Sequence, residues 1–160
     1  LCDHPRNMTD AMLRALADNG GVVGINFFPG FLETRCSRET FALWNVYKKE
    51  RSALASTDGG DVIRADSELQ GKYKRLIAEI EVPGVDTVVD HIDHAVRNAG
   101  IDHVGIGSDF DGTPMMPDGL KDVSMVQSIA VTMRERGYSA DEIAKVMSGN
   151  MMRLFARVCG

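Results

Sequence analysis

The stretch Val104-Gly105-Ile106-Gly107-Ser108-Asp109-Phe110-Asp111-Gly112 decides the fold. A short apolar run carrying two glycines ends in two carboxylates and a further glycine. Buried parallel strands read as near-continuous apolar runs, and in barrel enzymes the chemistry collects where such strands end. Glycines inside a strand allow a neighbouring backbone or a ligand to come close. Asp109 is the first acidic side chain beyond the run. Asp111-Gly112 reads as ordinary turn chemistry.

Working back from this stretch, Val85 to Asn98 carries Val85, Val88, Val89, Ile92, Ala95 and Val96 at helical spacing, and Ala99-Gly100 ends it. Further upstream, Val22 to Phe28 is an apolar run broken only by Gly24 and Asn26, which predicts a second buried strand. A helix precedes it, with Thr9 as N-cap, Leu13, Leu16 and Ala17 as its apolar face, and Asn19-Gly20-Gly21 as its stop. Helix, short connection and buried strand is the rhythm of an α/β domain.

The segment from Pro29 to Pro83 differs. It holds the polar cluster Ser56-Thr57-Asp58-Gly59-Gly60, predicted helices at Phe41–Arg51 and Ser67–Ile80, and no strand signal. So long an excursion after a strand suits a lid or pocket wall, and equally a decorative insertion.

Downstream of Asp109, Thr113 to Leu120 is a loop. Val123, Val126, Ile129, Ala130 and Met133 mark a helix that Gly137 terminates. Ser139-Ala140-Asp141-Glu142 is a capping box, and Gly149-Asn150 is expected to interrupt the helix it opens. Met151 to Val158 resumes with Leu154, Phe155 and Val158. Most of the nine methionines are expected in the core.

Two convincing strands among five or six helices do not complete a sheet. Either further strands hide in the excursion, or the 160 residues are part of a larger α/β domain, and the second reading fits better. The chain opens on Leu1, which agrees with a processed piece.

Composition bounds the rest. The 44% apolar and 26% charged residues are those of a globular protein, and a formal net charge of −5 speaks against a nucleic-acid surface. Lys48-Lys49-Glu50-Arg51 is the densest basic run and belongs on a solvated helix face. No apolar run approaches the ~20 residues of a membrane span, and no signal-peptide or anchor pattern is visible, so a soluble protein of unassigned compartment is expected. Cys2, Cys36 and Cys159 do not form a disulfide scaffold or a zinc motif. A Cys2–Cys36 bridge is open if their loops meet, with free thiols the better reading.

His91-Ile92-Asp93-His94 has the look of a metal motif. His91 and His94 share a helical face but Asp93 does not, so the tetrad supplies no local three-ligand site and reads better as structure. Arg6, fixed between Pro5 and Asn7 just before a helix, has the planar fork suited to a carboxylate, although its local sequence fits a plain surface arginine as well. Neither a dinucleotide fingerprint, a phosphate loop nor a nucleophile elbow is present.

Together, His4-Pro5-Arg6-Asn7, Gly21-Val22-Val23-Gly24-Ile25-Asn26-Phe27, His91-Ile92-Asp93-His94, Gly105 to Gly112 and Asn150-Met151-Met152-Arg153-Leu154-Phe155 resemble the membrane (renal-type) dipeptidase family, metallopeptidase family M19. The segment Glu33 to Pro83 matches least. The resemblance implies a distorted (β/α)8 TIM-type barrel, with Val22–Phe28 and His103–Ser108 as its last two strands. Residues 1–160 would be one partial metallodipeptidase barrel, its C-terminal half, with a helical excursion at about 29–84.

The same resemblance implies zinc-dependent hydrolysis of dipeptides. Asp109 would be catalytic, moving the proton beside a two-zinc centre whose bridging hydroxide attacks the peptide bond, and Arg6 would bind the substrate's free carboxylate. His91 and His94 receive no metal role from it. The family's zinc ligands lie upstream of Leu1, so no metal ligand is expected among the 160 residues. Activity would then need the missing N-terminal half of the barrel, and a homodimer is plausible by resemblance alone. Two other readings stay open: a related metal hydrolase acting on an amide or lactone, and a non-catalytic remnant whose open sheet edge drives association.

Overall fold

The structure is a computed structural model that describes residues 1–57 and 59–160. Asp58, from the polar cluster, lies outside the described residues.

The chain opens with a loop and then α1 (Asp10–Asp18), where the Thr9 hydroxyl accepts from the Met12 N–H at 3.3 Å, as the sequence predicts. Strand β1 (Val23–Asn26) follows and leads into a single helical turn, α2 (Pro29–Leu32). Next come two long helices, α3 (Thr34–Thr57) and α4 (Val62–Ala78), both longer than their apolar spacing suggested. Helix α5 (Val85–Ala99) then leads into β2 (Val104–Ser108). After a loop come α6 (Gln127–Glu135), α7 (Ala140–Ala144) and α8 (Asn150–Cys159).

Among the described residues β1 and β2 form one two-stranded parallel sheet. β1 is shorter than the expected Val22–Phe28 run, whereas β2 covers the expected His103–Ser108 run except for His103. The core lies between the sheet and the helices. Val88, Val89 and Ile92 of α5 are fully buried against it with Val104, Leu120, Ile129, Met133 and Val146. This is an α/β arrangement rich in helix, in line with the alternation of helix and strand signals.

Polar devices fix the helices around that core. Arg136 at the end of α6 reaches Asp90 at 2.6 Å and Asp93 at 2.8 Å on α5, and Tyr138 donates to the other Asp93 oxygen at 2.7 Å. The capping box forms, with Ser139 accepting from the Glu142 N–H and Glu142 accepting from the Ser139 N–H. In the helical pair α3–α4, Asp66 accepts from both Tyr47 and Arg51, and Lys72 pairs with Glu50 at 2.6 Å. The basic run at 48–51 therefore lies along a helix, part of it tied to α4.

Two expectations need correction. Gly149-Asn150 does not interrupt the last helix. The chain passes from α7 to α8 through a π-helical turn at Lys145–Gly149. The wider turn swings Asn150 inward, where its buried side chain donates to the Ile101 carbonyl at 2.7 Å and the Val104 carbonyl at 2.8 Å. Nor are most of the methionines in the core. Met115 and Met133 are buried, but Met8, Met12, Met125 and Met152 lie on the surface. Helical spacing fits an exposed stripe as well as a buried one.

Cys2 and Cys36 are both buried and both free. The Cys36 thiol lies 3.2 Å from the Glu81 carbonyl and 3.4 Å from Glu33. Burial, with Glu33 beside it, pushes this thiol up to about 11. No helix of the described residues is long and apolar enough to cross a membrane.

Candidate active site

Parallel pairing brings the ends of β1 and β2 to one edge of the sheet, and Asp109 stands there. The register runs Val23 to Val104, Gly24 to Gly105 and Ile25 to Ile106, then slips by one residue so that Asn26 meets Ser108. Gly107 is the residue absorbed by the slip. A Cβ on Gly107 would stand 2.8 Å from the Gly24 carbonyl carbon and oxygen, closer than backbone and Cβ ever pack. Glycine is required there because the two backbones touch. The sequence reading of a glycine as a point of close backbone approach holds at Gly107, where the approaching group is the neighbouring strand, whereas at Gly105 the nearest groups are the side chains of Met151 and Val22.

Immediately after the slip the chain makes an unusual turn. Ser108 has φ of 52° and Asp109 has φ of 85°, and they are the two described non-glycine residues in the left-handed region. Such residues cost on the order of 1–3 kcal/mol each and persist where surrounding contacts hold them. Several contacts do so here. The Phe27 N–H donates to the Ser108 carbonyl at 2.8 Å, and the Gly112 N–H donates to the Asp109 carbonyl at 3.1 Å. Asn26 Nδ2 donates to Asp109 Oδ2 at 3.0 Å, while Asn26 Oδ1 accepts from the Phe28 N–H at 2.7 Å. Asp109 Oδ1 lies so close to Gly112 that a Cβ there would have to displace the carboxylate.

Arg6 lies on a loop that packs on the segment following β1. Its loop is tied to α2, which begins directly after β1. Asn7 Nδ2 donates to the Phe31 carbonyl at 2.9 Å and to the Cys2 carbonyl at 3.0 Å. The exposed Arg6 guanidinium lies over the Phe31 ring at 4.8 Å, and the His4 ring packs on Phe31 at 4.8 Å as well. Cation–π contact of this kind holds the side chain without neutralising its charge. Among the described residues Arg6 has no carboxylate partner.

His91 and His94 are engaged elsewhere. His91 Nε2 lies 2.9 Å from the Leu32 carbonyl and His94 Nε2 lies 2.7 Å from Asp10. These contacts fit the structural reading of the tetrad. Among the described residues no group of three or more His, Cys, Asp or Glu side chains could hold a metal ion. Asp109 is joined by an amide, which gives it no second anionic donor. The donor set of the described residues therefore does not fit a metal centre by itself.

Asn26 is the residue that the sequence reading missed, because it counted only as a polar break in an apolar run. The available signal was weak: an amide inside one predicted strand, two residues before its expected end at Phe28.

The profile described as "Membrane dipeptidase (Peptidase family M19)" matches residues 1–159. The chain belongs to the M19 membrane dipeptidase family. A protein from Klebsiella pneumoniae, named only by its position in the pqqA 5' region, is 34% identical over 99% of this chain and 43% of its own length. Dipeptidase tcpJ of Claviceps purpurea is 29% identical over 99% of this chain and 27% of its own. The chain thus spans less than half the length of these curated relatives.

Among solved structures, the probable dipeptidase PvdM of Pseudomonas aeruginosa superposes with a TM-score of 0.68 at 30% identity, covering 96% of this chain and 41% of that one. A metallopeptidase of Rhodobacter sphaeroides, solved with a phosphinate mimic of the dipeptide L-Ala-D-Ala, superposes with a TM-score of 0.63 at 28% identity, covering 95% of this chain and 31% of that one.

Proposed function

We propose that these 160 residues are the C-terminal half of a distorted (β/α)8 barrel in a zinc-dependent dipeptidase, with β1 and β2 as its last two strands. Membership of the M19 family and likeness to a metallopeptidase that binds a dipeptide mimic support metal-dependent peptide hydrolysis. In this reading the ligands of the two zinc ions belong to residues outside the 160.

One observation carries the reading: Asp109 is a single carboxylate, held in a left-handed turn at the C-terminal edge of the parallel sheet. Active sites of barrel enzymes sit at that edge. A carboxylate so placed can take a proton from the attacking water and return it to the leaving amine. Arg6, on Phe31 just after β1 and without a carboxylate partner among the described residues, recognises the substrate's free C-terminal carboxylate.

A panel of paired substrates tests this with the full-length protein. Dipeptides with a free C-terminal carboxylate should be hydrolysed, and their C-terminal amides should be poor substrates. Arg6→Met should raise KM for the free dipeptides and leave the amides unchanged. Equal turnover of both sets would favour a general amide or lactone hydrolase. Turnover of neither would favour a non-catalytic role.

A further inference from the structure

We propose that Asn26 is a positioning residue that fixes the orientation of the Asp109 carboxylate. The inference rests on the proton-handling role given to Asp109 above. The geometry leaves the amide one orientation. Asn26 Oδ1 is taken by the Phe28 N–H at 2.7 Å, so Nδ2 must face Asp109, where it donates to Oδ2 at 3.0 Å. The opposite carboxylate oxygen lies against Gly112, where any side chain would overlap it. The carboxylate is thus held on one side by a directed N–H and bounded on the other by bare backbone.

The strand register explains how the pair forms. Because the pairing slips at Gly107, Asn26 meets Ser108, and the left-handed Ser108 and Asp109 fold back toward β1. Asn26 is anchored through β1 and cannot follow a wandering partner. A carboxylate that moves a proton between two reacting atoms depends on such alignment, and about 1 Å of misplacement costs on the order of 100-fold in rate.

The test uses the full-length protein and a free dipeptide. Asn26→Ala removes the donor, and kcat should fall about 10- to 100-fold with KM within about threefold of the parent. Asn26→Asp keeps the shape and the acceptor for the Phe28 N–H, but sets a second carboxylate against Asp109. Repulsion between like charges should then move the acid limb of the pH–rate profile to higher pH. A crystal structure of the Asn26→Ala protein should show the Asp109 side chain reoriented.

Parent kcat and an unmoved acid limb in both variants, with Asp109→Asn inactive, would overturn the role of Asn26 and leave that of Asp109 standing. Full activity in Asp109→Asn would overturn both.

Discussion

Gly24 and Gly107 meet backbone to backbone across the parallel sheet, with room for a Cβ on neither. Their contact lies beside the register slip that pairs Asn26 with Ser108 and sets Asp109 against Asn26.

Gly107→Ala should therefore part the strands at the edge that carries the site. Overpacking of this kind costs about 1–3 kcal/mol. A urea denaturation midpoint should fall accordingly. Gly71→Ala, where a Cβ meets nothing within 4 Å, is the matched control and should leave the midpoint unchanged or raise it. Equal midpoints for both variants would show that the close approach is relaxed without cost.

Asn150 ties α8 to the start of β2. Asn150→Leu fills similar space but leaves the Ile101 and Val104 carbonyls without their donor. Losing partners for buried acceptors should cost about 2 kcal/mol. The expected readout is a lower denaturation midpoint with an unchanged slope. A midpoint equal to the parent's would mean that both carbonyls find other donors.

His91 should make stability depend on pH. Burial holds its imidazole below the ordinary value of 6.5, opposed by the hydrogen bond to the Leu32 carbonyl. The unfolded chain then takes up the proton first as pH falls. The contribution is complete above pH 6.5, declines below it, and is gone once pH passes the lowered folded value. Melting temperatures across this window should fall more steeply for the parent than for His91→Gln. Parallel curves would contradict the assignment.

The sequence made some of this legible. Asp109 could be singled out because a carboxylate closing a glycine-bearing apolar run has a chemical and a topological reason to matter. The capping box at Ser139 was legible because its hydrogen bonds are local. Asn26 was not, since its importance comes from pairing with a residue far along the chain. The π turn at Lys145–Gly149 was hidden for a related reason. A glycine beside an asparagine favours a helix break on local grounds, and only the two carbonyls near β2 reward continuing the helix with Asn150 turned inward.

Asp109 offers the most direct test of the functional account. In the full-length, metal-loaded protein, Asp109→Asn keeps the size of the side chain and removes its ability to take a proton. Steady-state hydrolysis of a free dipeptide should show kcat reduced about 100- to 10,000-fold, with KM little changed. A kcat equal to the parent's would contradict the account.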